Sequence, residues 1–231
     1  MTTTNYPDGV TNASYDGANG QMPFPDPTLW HTYFNDFDTY VAGDWVVTLI
    51  GNAGTAALTA GNGGLLLITS DALDNDGVVL QKTPAGFAFS ATKKCFFAVK
   101  FAASKATESD IQFGLVIVDG TPFDATDGIF FMKDDGDANI DVYVRKDATT
   151  GSNSKTAIAT LAAATQTILS FYYDGAGTLF YGVNGSMVGS MSASSTYLPD
   201  ATNLTVSMAL RNGEAGAQTL TVDYILAAME R

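Results

Sequence analysis

The stretch Leu169–Met191, LSFYYDGAGTLFYGVNGSMVGSM, decides the fold. Leu169, Phe171 and Tyr173 alternate with Ser170 and Tyr172, the period of two that sends successive side chains to opposite faces of a β-strand. Asp174-Gly175-Ala176-Gly177 supplies glycines that reach positive φ without steric cost, so the chain turns there and Leu179–Val183 returns as the partner strand. Asn184-Gly185 then turns it again. An Asn-Gly pair between apolar alternating runs is the strongest short-range hairpin signal, and Met187-Val188 continues the meander. No catalytic residue stands in the stretch, so it speaks of architecture alone.

The same texture runs from Trp30 to the end of the chain. Candidate strands fall at 32–39, 44–50, 55–59, 64–69, 77–82, 86–90, 94–103, 110–118, 127–133, 138–146, 155–161, 166–173, 178–183, 186–191, 203–211 and 218–229. Gly, Asn and Asp fill most of the gaps. Regular strands without amphipathic helices between them predict an all-β fold of antiparallel sheets, a sandwich or a barrel. Phe96–Phe101 and Leu115–Val118 are apolar at nearly consecutive positions, which predicts central strands covered on both faces. The Ala-rich pieces Ala157–Ala164 and Ala227-Ala228-Met229 are the best candidates for helix.

Residues 1–29 read differently and are expected to form an extended N-terminal arm ahead of a sandwich spanning 30–231. Pro7, Pro23, Pro25 and Pro27 favour extended or turn backbone, and no apolar period is sustained. Such an arm either stays disordered or gains order on another subunit, with Tyr6, Tyr15, Met22 and Phe24 as apolar anchors.

Composition bounds the function. A chain of 231 residues buries roughly 70–75% of its unfolded surface and needs no covalent staples. Its single cysteine, Cys95 in Lys94-Cys95-Phe96-Phe97, reads as a buried core residue, and an intramolecular disulfide is impossible. A charged region followed by an apolar leader is missing at the start, and no apolar run reaches the roughly 18–20 residues of a membrane span, so a soluble protein made in the cytoplasm is expected. The formal charge of −13, from 24 acidic and 11 basic residues, argues against binding nucleic acid or anionic membranes. A basic partner remains compatible with it.

Few residues offer chemistry. His31 is the only possible imidazole base, stands beside Trp30 at the arm boundary, and has no Gly-x-Ser-x-Gly elbow to serve; it reads as structural. Asp135-x-Asp137-x-Asn139 offers oxygens at the alternating spacing of calcium loops, and Asp74-Asn75-Asp76-Gly77 is a second acidic turn. Both lack the later bidentate Glu, and turn chemistry explains them without an ion. There is no Cys/His set for zinc, and no cofactor is expected. Trp45, Tyr143 or Asn212 could be presented to a sugar, although aromatics at alternating positions more often fill a core.

Trp30–Tyr40, Trp45, Gly63–Ile68, Phe113-Gly114-Leu115, Asp127–Phe131, the two hairpins of 169–191 and Leu220–Ile225 follow one another in an order that resembles a concanavalin A-like lectin/glucanase domain. The resemblance implies a two-sheet jelly roll over 30–231, a fold that carries sugar binding, hydrolysis and purely structural roles. Glycosidases of that fold use a Glu-x-Asp-x-(x)-Glu strand, with carboxylates about 5–5.5 Å apart for retaining hydrolysis. Here the only glutamates are Glu108, Glu214 and Glu230, and no two lie within that spacing. Asp134, Asp135 and Asp137 sit together, but in a turn. The chain is therefore expected not to be an enzyme.

Thr4–Asn12, TNYPDGVTN, resembles the opening of small structural proteins of tailed bacteriophages found beside the major capsid protein. That resemblance implies a non-enzymatic virion protein, a capsid decoration or cement protein. Its arm would dock through Tyr6, Pro7, Val10 and Tyr15 on the major capsid protein or another virion protein. Edge strands would pair copies into a homo-oligomer on the capsid surface. The alternative expectation is a carbohydrate-binding, lectin-like module, with a glycan as partner.

Overall fold

The computed structural model describes residues 27–148 and 153–231. Its strands are β1 (Trp30–Asn35), β2 (Trp45–Ile50), β3 (Gly54–Thr59), β4 (Leu65–Ser70), β5 (Gly77–Lys82), β6 (Cys95–Ala103), β7 (Ser109–Ile117), β8 (Gly128–Lys133), β9 (Asn139–Arg145), β10 (Asn153–Thr160), β11 (Thr167–Tyr173), β12 (Thr178–Val183), β13 (Ser186–Ser192), β14 (Leu204–Asn212) and β15 (Thr219–Glu230). All pair antiparallel. One sheet runs β13-β12-β11-β6-β15-β4-β3, with β1 also on β15; the other runs β10-β9-β8-β7-β14-β5-β2. The two form a jelly-roll β-sandwich. No described helix is long and apolar enough to cross a membrane.

The hairpins form as their turn chemistry dictates. Asn184 and Gly185 both take positive φ, 50° and 80°, the backbone of a two-residue turn whose twist matches its strands. Asp174 Oδ1 accepts from the backbone N–H of Ala176 and Thr178, closing the turn before β12. Leu169, Phe171 and Tyr173 point into the core, where Phe171 stacks on Phe97 with ring centroids 5.2 Å apart. Each such burial contributes roughly 1.5–3 kcal/mol.

β15 is shared by two partners on one flank. Residues 219–222 pair with β4 and residues 225–230 with β1, and the register breaks between Val222 and Tyr224. Asp223 lies in that break, its carboxylate 2.6 Å from Lys100 Nζ. Pro27–Leu29 form a turn leading into β1. The remainder of the expected arm, including Tyr6, Pro7, Val10 and Tyr15, lies outside the described residues.

Three expectations are corrected. Residues 86–90 are not a strand: Phe87 makes a single bridge to Leu204, while Phe87 and Phe89 plug the core from an irregular loop. Ala157–Ala164 is not helical, because β10 runs through it to Thr160 and the chain then turns at Ala164, φ 53°. Ala227-Ala228-Met229 lies inside β15 between β6 and β1, where burial on a paired strand outweighs alanine's helix preference. β6 and β7 are central, as their apolar runs predict, although Phe96 and Lys100 of β6 remain half-buried on its outer side.

β7 is buried on both faces for a different reason than a second sheet. Ile111, Phe113 and Leu115 enter the core, so Gln112, Gly114 and Val116 face outward, yet none of them reaches solvent. The cover is the chain's own segment 118–127, which folds back over the outer face of the seven-stranded sheet. Ala125 packs on Val116 and Phe130. Gln112 Nε2 donates to Pro122 O at 2.6 Å, and an Arg145 guanidinium nitrogen donates to Ala125 O at 3.0 Å. Gln81 donates to Ile117 O and accepts from Asp119 N, both at 2.9 Å.

Candidate functional site

The covering segment leaves an open pocket at its rim. Ile50, Thr121, Phe123, Asp124, Met132, Asp134 and Arg211 line about 290 Å³. Pro122 sets the backbone of the short 3-10 turn Pro122–Asp124, in which Ala125 N bonds Pro122 O at 3.1 Å. That turn lays the Phe123 ring beneath the Arg211 guanidinium, 4.9 Å from its carbon to the ring centroid. Arg211 and Asp110 are directly opposite on β14 and β7, and Arg211 Nε donates to Asp110 Oδ2 at 2.7 Å.

Four carboxylates face this region with different duties, and Asp124 lines the pocket from the covering segment with its side chain exposed. Asp110 is buried, and its other oxygen accepts from Asp135 N at 2.8 Å. Asp141 accepts from Ala157 N at 2.8 Å and from Tyr143 Oη at 3.3 Å. Asp134 lines the pocket and is held above the usual carboxylate range, first by desolvation among its neighbours and then by the charges of Asp110 and Asp141. Beside them Tyr143 stacks on Phe130 at 5.3 Å, with Arg145 over both rings. The Arg145 Nε and Gln112 Oε1 atoms, both beneath the covering segment, have no hydrogen-bond partner among the described residues.

The residues singled out in the sequence scatter. Asp137 takes both bonds from Asn139, to its backbone N–H at 2.9 Å and its Nδ2 at 3.0 Å, in an Asx turn. Asp135 turns its carboxylate toward Gly213 instead, so the three oxygens of Asp135, Asp137 and Asn139 do not converge. Asp76 bonds Asn52 through Oδ2 at 3.3 Å. Among the described residues no group of three or more His, Cys, Asp or Glu comes together to hold a metal. Trp45 and Asn212 are buried; Asn212 donates to Leu73 O at 3.0 Å and accepts from Ser70 Oγ, so neither is offered to a ligand. Tyr143 is half-buried on the outer face.

Glu108, Glu214 and Glu230 stay apart in role: Glu214 pairs with Lys105 at 3.1 Å, Glu230 with Lys94 at 3.6 Å, and Glu108 accepts from Thr107 N at 3.3 Å. His31 packs on Phe87 at 4.8 Å and lines a second cavity of about 150 Å³ with Tyr33, Lys82 and Thr205. Burial and then Arg231 lower its pKa. Cys95 is fully buried, and burial pushes its thiol well up. The sequence reading missed Phe123 and Arg211. Their only signal is an aromatic after proline in a stretch of turn formers, and an arginine ending an apolar strand.

The fold is that of the concanavalin A-like lectins and glucanases. An endo-1,3-β-glucanase from Streptomyces sioyaensis superposes with a TM-score of 0.65 at 13% identity, covering 90% of this chain and 99% of its own. Peanut lectin gives 0.56 at 13%, covering 87% and 97%. An endo-β-1,4-glucuronan lyase from the fungus Trichoderma reesei gives 0.57 at 11%, covering 84% and 94%. Enzymes and lectins thus share this architecture. No family model matches the chain, and no curated protein matches it in sequence.

Proposed function

We propose that the protein is a carbohydrate-binding, lectin-like sandwich without catalytic activity, and that it binds a saccharide at the rim pocket. The observation that carries this reading is the convergence there of a Phe123 ring, the planar Arg211 guanidinium and the carboxylate of Asp134. An apolar ring face beside a few fixed polar groups matches a sugar, whose C–H face packs on aromatics while its hydroxyls bond carboxylate and guanidinium. Asp110 and Asp141 have both oxygens engaged by protein donors, so Asp134 and the exposed Asp124 are the carboxylates left to the pocket, and product release in the assay below would show them acting as an acid–base pair. The test is an amide NMR titration with β-1,3- and β-1,4-linked gluco-oligosaccharides, alongside a reducing-sugar assay. Binding shifts at Phe123, Asp134 and Arg211 without product support the reading; no shifts at millimolar sugar, or product release, would overturn it.

A second reading rests on the opening segment, Asn5-Tyr6-Pro7-Asp8-Gly9-Val10, and its likeness to phage capsid-associated proteins. It makes the chain a virion decoration protein docked on the major capsid protein through Tyr6, Pro7, Val10 and Tyr15, with the sandwich displayed outward. The two readings use different parts of the chain. Co-sedimentation with assembled capsids tests the second, and deleting residues 2–20 should abolish it while the β circular dichroism spectrum persists.

A further inference from the structure

Lys82 carries a charge on the core side of a strand. It ends β5 two residues after Leu80 and four after Val78, core residues with no exposure, so its side chain starts into the mouth of the sandwich. There Nζ donates to Thr83 O at 2.6 Å and lies 5.8 Å above the ring of Tyr33, which comes in from β1 on the other sheet. The ion pairs among the described residues engage Lys94, Lys100, Lys105, Lys146 and Arg211, and none engages Lys82. Asp44, whose charge reaches Tyr33, forms no pair with it either. A half-buried ammonium without a counter-charge is costly, and a carboxylate is the partner it lacks.

The space in front of Lys82 has the size of a ring. The cavity of about 150 Å³ is walled by His31, Tyr33 and Phe87, with Pro84 at its side. An apolar cavity of about this volume holds one benzene-sized molecule. Gly86 keeps one wall bare. Its φ lies outside the left-handed region, so the backbone does not require glycine there, yet a Cβ would stand 3.1 Å from His31 Nε2. Neither ring nitrogen of His31 has a hydrogen-bond partner among the described residues.

We propose that this mouth cavity is a second binding site, for a monocarboxylate carried on a six-membered ring, with the carboxylate on Lys82 Nζ and the ring seated among His31, Tyr33 and Phe87. One ammonium matches one carboxylate. A phosphate dianion would call for more donors than a single lysine and would meet aromatic walls instead. An aromatic acid and a uronic sugar share the required chemistry, and the test separates them. The site is independent of the rim pocket. Ile50 of that pocket pairs with Gly77 and Trp45 pairs with Lys82, so the two sites lie at opposite ends of β5, roughly 17 Å apart at about 3.4 Å per residue.

NMR titration of the full chain with sodium benzoate and sodium glucuronate, at constant ionic strength, tests the proposal, with benzyl alcohol and glucose as uncharged counterparts. Saturating shifts at His31, Lys82 and Gly86 are expected with one or both acids and with neither counterpart. Shifts from benzoate alone assign an aromatic acid, and from glucuronate alone a uronic sugar. Lys82→Met should weaken binding by at least about tenfold, and its thermal unfolding should remain cooperative. Gly86→Val, which fills the wall beside His31, should weaken binding independently. No saturating shift at millimolar acid, equal shifts from the uncharged counterparts, shifts confined to Phe123, Asp134 and Arg211, or unchanged affinity in Lys82→Met overturns the proposal.

Discussion

Asp110 and Arg211 occupy one cross-strand position of β7 and β14, and their ion pair is the hinge between the sheet and the pocket. The same guanidinium that neutralises the buried carboxylate lies over Phe123. Arg211→Ala should therefore lower stability by roughly 1–3 kcal/mol, less than a fully buried pair because a third of the Arg211 side chain is exposed. Arg211→Lys keeps the charge but loses the planar stack, and should recover stability better than saccharide binding. Urea unfolding and sugar titration separate the two.

Asp134 gives a pH dependence of definite sign. Its folded pKa lies above the unfolded value, so between the two the folded state holds more protons, and stability falls as pH rises through that window. Glu108, Asp137 and Asp174, whose pKa values are lowered, act in the opposite direction. Only the difference between wild type and Asp134→Asn isolates the effect. Tm measured from acid to neutral pH should show the variant gaining on the wild type as pH rises; parallel curves would refute this.

Lys133 is buried at the end of β8, where Nζ donates to Thr107 O at 2.8 Å and to Ser109 O. It ties the β6–β7 connection to the β8–β9 turn. Lys133→Ala leaves those carbonyls unpaired beside a cavity and should cost roughly 2–4 kcal/mol; Lys133→Met refills the space and should cost less. Denaturant midpoints at constant m-value measure both.

Calcium should not stabilise the fold. Both oxygens of Asp137 are already occupied by Asn139, and Asp135 faces Gly213, so an ion at this turn would have to break existing bonds. Tm in millimolar calcium and in excess chelator should agree within about 1 °C; a larger shift, with ligands mapped to Asp135 and Asp137, would reverse the conclusion.

Strands were legible because each carries its own local signal: the period of two in Leu169–Tyr173, and the Asn-Gly turn at 184–185. The fold followed from their order. The pocket was not legible, for a physical reason. Phe123 and Arg211 are 88 positions apart in sequence (211 minus 123) and meet only because segment 118–127 folds back on the sheet. No periodicity records a loop lying on its own strands. The strand expected at 86–90 fails in a related way, since Phe87 and Phe89 alternate like strand residues but fill the core from a loop.

The double partnership of β15 bears on the order of folding. β1 precedes every other described strand, yet its pairing residues, 225–230, belong to the last described strand. Until those residues leave the ribosome, Trp30–Asn35 has no ladder to join, and β6 also waits for its second neighbour. The eight-stranded sheet thus closes by a contact between the first and last of the described strands, which sets a slow, topology-limited rate for the fold. Circular permutation that places β1 directly after β15 would make that contact local.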